Sequence, residues 1–138
     1  MFKLLEIKLF TFNFFRSKLK MSPEDGLAVT ISLNTPAKLA RYSKSIKNYL
    51  LKGKRNWLAN FFAANYWRVV GNVPEALVCL RNAVALAPEG YRHLGLLGLA
   101  NVCHRTHHSD EAITVLHKAI DLSPGFCFVS VNLKNIIN

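Results

Sequence analysis

Small, apolar and turn residues recur along the second half of the chain at a constant spacing of 36 positions. Within each copy the apolar residues are three or four positions apart, the spacing of one helical face, and a proline follows the last of them. Repetition with a period of about 20–50 residues is typical of stacked helical repeats. The pattern therefore predicts an all-α fold of antiparallel helical hairpins. The repeated residues are Glu75, Ala76, Leu80, Ala83, Leu86 and Pro88, then Glu111, Ala112, Leu116, Ala119, Leu122 and Pro124.

Turn-forming residues divide this region into four predicted helices. Gly71 and Asn72 suit a left-handed end to the first helix, and Pro74 suits the first turn of the second. Ser109, with the two acids after it, is expected to supply capping oxygens and negative charge at the start of the fourth helix. The predicted helices cover residues 56–70, 74–87, 91–106 and 109–123.

An amphipathic helix is predicted upstream of the hairpins, ending near Gly53. Its apolar face carries Tyr42 and Tyr49, which we expect to be buried against the first hairpin. The preceding residues match no repeat, and no structure is assigned to them. The predicted organisation is a basic and apolar segment over 1–35, an amphipathic basic helix over 36–55, two repeats within 57–124 (57–88 and 93–124), and a partial third repeat or capping helix over 125–138.

Positive charge is concentrated in the first part of the chain. The formal net charge is +10, and residues 1–56 hold 12 Lys and Arg against three acids. A basic helical face can contact an acidic membrane surface, an acidic protein or nucleic acid, or it can simply be solvated. Nucleic acid is the least favoured of these partners because the tyrosines lie on the apolar face and not among the cations. The basic surface consists of Lys38, Arg41, Lys44, Lys47, Lys52, Lys54 and Arg55.

Residues capable of catalysis or metal binding form no convincing site. The three cysteines have no C-x-x-C spacing, which favours reduced thiols and a cytoplasmic location, and Cys103 is predicted to be core. One cluster contains residues of the metal-ligand type, namely His104, His107, His108 and Asp110. His104 and His108 share a predicted helical face, but a third ligand on that face is missing. A solvated helix end is therefore favoured over a metal site. No phosphate-binding loop or Gly-x-Ser-x-Gly motif occurs. We therefore predict no enzymatic activity, no catalytic residue, no metal and no cofactor, and no transmembrane helix.

The spacing of the small and large residues resembles the tetratricopeptide repeat family. The resemblance covers about half of the chain and departs from the family pattern at Asn60, at Ala63 and in its period of 36 instead of 34 residues. It implies two repeats of an α-solenoid. The matching residues are Ala64, Trp67, Ala76, Leu80, Ala83 and Pro88, then Leu96, Leu99, Ala100, Cys103, Ala112, Leu116, Ala119 and Pro124.

A narrower resemblance is carried by three short strings, at 66–71, 79–81 and 99–102. They look like part of a large tetratricopeptide repeat protein implicated in actin filament organisation and primary cilium formation. This resemblance implies that the chain is a short piece of a longer solenoid with a scaffolding role, associated with the cytoskeleton or a membrane. Exposed solenoid ends would then allow self-association.

The family resemblance implies a concave groove lined by the first helix of each repeat. Asn65 and Asn101 occupy equivalent positions and could hydrogen-bond the backbone of a bound peptide; alternatively, they only bond neighbouring helices or water. Family members that grip a C-terminal carboxylate use lysine where this chain has Phe61 and Leu97, so a mostly apolar peptide or helix is expected. The predicted function is non-catalytic protein–protein interaction, and the alternative is peripheral membrane or nucleic-acid binding through residues 38–55. The predicted groove residues are Phe61, Asn65, Arg68, Leu97, Asn101, His104 and Arg105.

Overall fold

The computed structural model describes residues 20–53 and 56–125. All regular elements in these ranges are helical, which confirms the predicted all-α, tetratricopeptide-repeat-like fold of helical hairpins. Lys54, Arg55 and the predicted partial third repeat from residue 126 onward lie outside the described residues. The helices are α1 (Asp25–Thr30), α2 (Pro36–Lys52), α3 (Trp57–Val70), α4 (Val73–Leu86), a 3-10 turn (Glu89–Tyr91), α5 (Arg92–Arg105) and α6 (Ser109–Leu122).

Local side chains and a glycine define the ends of the first hairpin. Asn56 accepts hydrogen bonds from the backbone N–H groups of Leu58 and Ala59, at 3.1 and 3.2 Å, and so caps α3. At the other end Gly71 adopts φ 88° and donates to the Trp67 carbonyl at 2.8 Å, as predicted. Asn72 then caps α4. A two-residue turn therefore reverses the chain between α3 and α4.

The predicted cap of α6 is wrong. The residue preceding the helix is His108, which makes no side-chain capping bond, and Ser109 is the first helical residue. The reason is the tight turn after α5, where the Thr106 hydroxyl donates to the Val102 carbonyl at 2.9 Å and His107 takes a left-handed φ of 65°. This turn aligns the chain for α6 one residue before the serine.

Small residues allow the hairpins to close. Ala64, Ala76, Ala100 and Ala112 are all 0% exposed, which confirms their predicted role at the contacts between helices. The large residues beside them are also buried, and each contributes about 1.5–3 kcal/mol through removal from water. The fully buried leucines are Leu77, Leu80, Leu96, Leu99 and Leu116.

The two hairpins meet where α4 packs against α5, and glycines make this approach close. A Cβ atom at Gly95 would lie 2.7 Å from Cγ2 of Val84, and one at Gly98 would lie 2.7 Å from Cδ2 of Leu80. Contacts this short do not occur between real carbon atoms. The α4–α5 interface therefore depends on the absence of side chains at these two positions.

Helix α2 packs on α3 through only part of the predicted apolar face. Ile46 is buried, and the Tyr42 hydroxyl donates to the Phe62 carbonyl at 3.0 Å. Burial raises the pKa of Tyr42 to about 12 because the phenolate would be desolvated. Tyr49 is 61% exposed, so its predicted burial is wrong. Its ring borders an open pocket of about 230 Å³ that Leu58 and Phe62 line from the α3 side.

Residues 20–35 contain structure for which the sequence gives no periodic signal. Residues 21–24 are non-helical and pass the C-terminal end of α3, where the Glu24 N–H donates to the Arg68 carbonyl at 3.2 Å. The short helix α1 follows, and Ala28 and Leu33 are buried. This segment brings the chain across the ends of the repeat helices.

Within residues 20–53 and 56–125, no helix combines the length and the hydrophobicity that a bilayer crossing requires.

Candidate functional site

The predicted groove residues lie on α3 and α5, but their environments differ. Asn65 and Arg68 on α3 are each 6% exposed. Phe61, Leu97 and Asn101 are half-buried, whereas His104 and Arg105 are exposed. Equal register in the two repeats therefore does not give equal access to solvent.

Arg68 is held by an acid from the N-terminal segment. Its Nε donates to Oε2 of Glu24 at 2.6 Å, and its Nη2 donates to Oε1 at 3.1 Å. Nη1 donates to Oδ1 of Asn65 at 3.4 Å. The side chains of Glu24 and Arg68 are only 10% and 7% exposed. The result is a buried, two-pronged ion pair, the arrangement in which arginine binds a carboxylate most specifically.

Arg105 of α5 reaches the same segment from the other repeat. Its Nη2 lies within hydrogen-bond distance of three oxygens, namely Ser22 Oγ at 2.9 Å, the Ser22 carbonyl at 3.2 Å and the Pro23 carbonyl at 3.4 Å. Its Nε is 3.9 Å from Oε1 of Glu24. Arg68 and Arg105, from equivalent helices of the two repeats, thus converge on residues 22–24.

Ser22 and Glu24 are site residues that the sequence reasoning missed. Both lie in the part of the chain to which the sequence assigns no structure, although Glu24 is one of only three acids among the first 56 residues. The adjacent acids Glu24 and Asp25 in the basic first part of the chain were the available signal. Periodicity could not reveal the contact because Glu24 and Arg68 are 44 positions apart.

His104 does not take part in this site. Its Nδ1 lies 3.3 Å from Ser109 Oγ, at the α5–α6 connection. His108 follows the end of α5 and its Nδ1 lies 2.7 Å from the Thr106 carbonyl, so the shared helical face predicted for His104 and His108 does not exist. Among the described residues, no three His, Cys, Asp or Glu side chains are grouped so as to hold a metal ion.

The described cysteines are poor nucleophiles. Burial, with a smaller contribution from Glu75, raises the pKa of Cys79 from its usual 9.0 to about 11. Burial also raises the pKa of Cys103, which is 0% exposed as predicted for a core residue. Because the thiolate is the reactive form, neither side chain is activated for catalysis near neutral pH.

The basic surface of α2 is exposed along its described length. Lys44 and Lys47 lie on the same helical face as Leu51, which is 82% exposed. This face thus combines cations with an unburied apolar side chain. The exposed basic residues are Lys38, Arg41, Lys44, Lys47 and Lys52.

Comparison with known proteins shows a consistent similarity. No family model matches the sequence. The chain is similar to tetratricopeptide repeat protein 17 of Danio rerio, with 28% identity over 116 residues, which is 84% of this chain and 10% of that protein. It is 32% identical over 98 residues, 71% of this chain, to the proteins of that name from Rattus norvegicus and Homo sapiens, of which it covers 8% and 9%.

These similarities confirm the resemblance to the tetratricopeptide repeat family. The chain spans about a tenth of the length of the curated relatives it matches. Relatives of this kind support a protein-interaction module in general, and since such proteins are generally non-catalytic scaffolds, they favour a non-catalytic role.

Proposed function

Because its hairpins have the tetratricopeptide-repeat arrangement and its sequence resembles tetratricopeptide repeat protein 17, we propose that the chain is a non-catalytic module that binds a segment of another protein. The bound segment lies along α3 and α5. This surface is the predicted groove, and its accessible part contains Phe61, Leu97, Asn101 and Arg105.

One observation carries the proposal: the α3–α5 surface already binds a non-helical segment of its own chain. Arg105 contacts the backbone carbonyls of Ser22 and Pro23, and the Arg68 carbonyl accepts from the N–H of Glu24. Backbone contacts of this kind allow a surface to recognise a peptide with limited dependence on its sequence. The surface therefore has the chemistry that peptide binding needs.

The adjoining part of the surface suits an apolar or amphipathic ligand. Phe61 and Leu97 are half-buried and provide apolar contact area, while Asn101 offers a donor and an acceptor. A peptide or a single helix with apolar anchors matches this combination better than a charged polymer. Burial of this apolar area by a ligand would contribute favourably to binding because it removes apolar surface from water.

The wider role in this proposal follows from the resemblance to a much longer protein. For the protein of which such a module is part, we propose a scaffolding role in actin organisation and cilium formation. We propose that this scaffold is cytoplasmic and is associated with the cytoskeleton or a membrane. Contact through the solenoid ends with a second copy belongs to the same proposal. No cofactor is required.

The proposal is tested by comparing the proteins that the full chain retains with those retained by surface variants. Leu97→Glu and Asn101→Ala should each reduce partner retention by at least about tenfold, since an interface anchor contributes on the order of 2 kcal/mol. His117→Ala, an exposed change on α6, is the matched control. Thermal unfolding of each variant verifies the fold. Unchanged retention by both folded groove variants would exclude the groove.

A second candidate function is contact with an anionic membrane surface through α2. The observation that favours it is the exposed Leu51 on the same face as Lys44 and Lys47. Binding to phosphatidylserine vesicles should weaken steeply with added salt, and Lys44→Glu with Lys47→Glu should abolish it. Equal binding to neutral vesicles would contradict this function. Nucleic acid remains the least favoured partner of this surface.

A further inference from the structure

The guanidinium of Arg68 is buried at a position where water cannot solvate its charge. Its residue is 6% exposed, and Gly98 of α5 lies so close that a Cβ there would be 3.5 Å from Nη1. A buried charge is tolerated only when an opposite charge and hydrogen bonds accompany it. The position of Arg68 between the two repeats thus creates a requirement for a carboxylate.

That carboxylate comes from outside the repeat helices. Glu24 belongs to the N-terminal segment, and its contacts with Arg68 and Arg105 join positions 44 and 81 residues apart in the chain. The helices α3 and α5 supply both arginines, whereas the acid arrives on a separate stretch of backbone. In this respect Glu24 resembles a ligand of the repeats more than a part of them.

The turn between α3 and α4 is shaped to admit that backbone. Gly71 has φ 88°, and a Cβ there would lie 3.1 Å from the Met21 carbonyl oxygen and 3.2 Å from the Pro23 nitrogen. A side chain at this position would be strained and would also push the segment away. Gly71 therefore has two roles: it allows the left-handed conformation at the end of α3, and it leaves space for the backbone of residues 21–23.

We propose that Arg68 and Arg105 form a recognition site for a carboxylate on a non-helical peptide segment, and that Glu24 occupies this site as an intramolecular ligand. A partner segment with an acid after a proline, as in the chain's own Ser22-Pro23-Glu24, would bind by displacing residues 21–24. This inference rests on the proposed peptide-binding function and names the class of ligand and its competitor.

The site differs from the carboxylate clamp that some members of the tetratricopeptide repeat family use. The clamp uses lysine at the positions of Phe61 and Leu97, which are apolar here. The cations in this chain lie at the C-terminal ends of α3 and α5 and bind the acid from the side of the α3–α4 turn. The two arginines contact one carboxylate and the backbone carbonyls of the residues before it. An acidic side chain inside a peptide can therefore be bound, and a C-terminal carboxylate is not needed.

An intramolecular ligand lowers the apparent affinity for any competing segment. The apparent dissociation constant equals the intrinsic constant divided by the fraction of molecules whose site is open. Glu24 is held in a buried ion pair by hydrogen bonds of 2.6 and 3.1 Å, and the proposal therefore requires the open fraction to be small. Weakening the Glu24 contact should therefore increase binding in trans without adding any contact to the partner.

The test uses the full chain and a capped peptide with the sequence of residues 20–25. By calorimetric or NMR titration, Glu24→Ala should bind this peptide at least about tenfold more tightly than the wild-type chain. A peptide with glutamine in place of its glutamate should bind Glu24→Ala at least about tenfold more weakly, because it lacks the charge. Asp25→Ala, which removes the neighbouring exposed acid, should behave like the wild type.

A double variant identifies the receiving group. Glu24→Ala combined with Arg68→Met has no lone buried charge and should show no binding of the acidic peptide. Binding of the glutamate and glutamine peptides with equal affinity by Glu24→Ala would overturn the proposal. So would equal affinity of the wild type and Glu24→Ala for the acidic peptide.

A second measurement covers the case in which Glu24→Ala does not fold. Excess acidic peptide added to the wild-type chain should speed hydrogen exchange of the Glu24 amide, which donates to the Arg68 carbonyl, and leave the exchange of α5 core amides unchanged. No change at Glu24 under saturating peptide would overturn the proposal. The partner retention tested with Leu97→Glu and Asn101→Ala uses other residues, so its result stands independently of this one.

Discussion

The buried charge of Arg68 is compensated by a single carboxylate, that of Glu24. Its side chain is 7% exposed, and the side chain of Glu24, which accepts from it at 2.6 Å, is 10% exposed. Removing one member of a buried ion pair leaves the other charge without compensation, which costs more than the pair itself contributes. The residue is therefore a sensitive point of the fold as well as of the proposed site.

Substitution of Glu24 should reveal this dependence. We expect Glu24→Ala to lower the free energy of unfolding by about 3–5 kcal/mol, and Glu24→Ala with Arg68→Met to recover part of the loss because no lone charge remains. Urea denaturation monitored by circular dichroism measures both values. Asp25→Ala is the control and should change stability by less than about 0.5 kcal/mol. Equal effects of Glu24→Ala and Asp25→Ala would contradict the buried pair.

The two described cysteines should be inert in the folded protein. In a Cys127→Ser chain, which keeps only Cys79 and Cys103, we expect slow reaction with DTNB at pH 8 and complete reaction in denaturant. Both thiols are buried, and burial raises their pKa, so the thiolate fraction is very small. Absorbance at the reagent's product band gives the rate. Rapid reaction without denaturant would show that the core is open.

The raised pKa of Cys79 also predicts a loss of stability in alkali. The folded state keeps the thiol proton up to about pH 11, whereas the unfolded chain releases it near pH 9.0. Stability from this group is therefore complete below pH 9 and is lost as the pH rises towards 11. Urea midpoints between pH 8 and pH 10.5 should fall less steeply for Cys79→Ala than for the wild type. Parallel slopes would exclude Cys79 as the source.

At the scale of the helices, the contact between α4 and α5 depends on glycine. Gly95→Ala should be destabilising by about 1–3 kcal/mol, although alanine favours helix formation, because the new Cβ meets Val84. The β-branched Val84 is restricted in its rotamers and cannot move aside cheaply. Thermal unfolding is the measurement. Gly90→Ala has no atom within 4 Å of the added Cβ and should not destabilise the protein.

Helix positions illustrate which parts of the fold follow from local signals. The observed bounds of α3 to α6 lie within a residue or two of the predicted ones because apolar periodicity, caps and prolines act over a few residues. The predicted start of α6 is correct, but the predicted capping role of Ser109 is wrong, because the turn that carries His107 in a left-handed conformation places His108, and not Ser109, before the first helical residue. Asn60, an exception to the family pattern, is buried, and its side-chain amide is satisfied because it donates to the Asn56 carbonyl at 2.9 Å.

At the scale of the whole molecule, burial is unevenly distributed. Only Ile46 is buried among the 17 residues of α2, whereas eight of the 14 residues of α5 are buried. Local unfolding costs least where few apolar contacts are lost. The α3–α6 helices should therefore form the more stable unit, with α2 attached to its side.

Hydrogen exchange followed by mass spectrometry should detect this difference. We expect peptides from the middle of α2 to exchange at least about tenfold faster than peptides from the middle of α5. Ile46→Ala should speed exchange in α2 further and leave α5 unchanged, because Ile46 is the buried anchor of α2. Exchange of α2 and α5 at one common rate, with the same response to Ile46→Ala, would indicate a single cooperative unit.

The amino-acid sequence by itself determined helices α2 to α6 and the pairing of α3 to α6 in two hairpins. Ala64, Ala76, Ala100 and Ala112 occur at a fixed spacing, and close helix packing requires small residues at such positions. Only the tertiary structure decided which groove residues are accessible. Arg68 and Arg105 contact Glu24, which is distant from both in the chain. The periodicity of neighbouring residues contains no information about such long-range contacts. A surface that looked open in sequence is partly occupied because the chain folds back to neutralise its own buried charge.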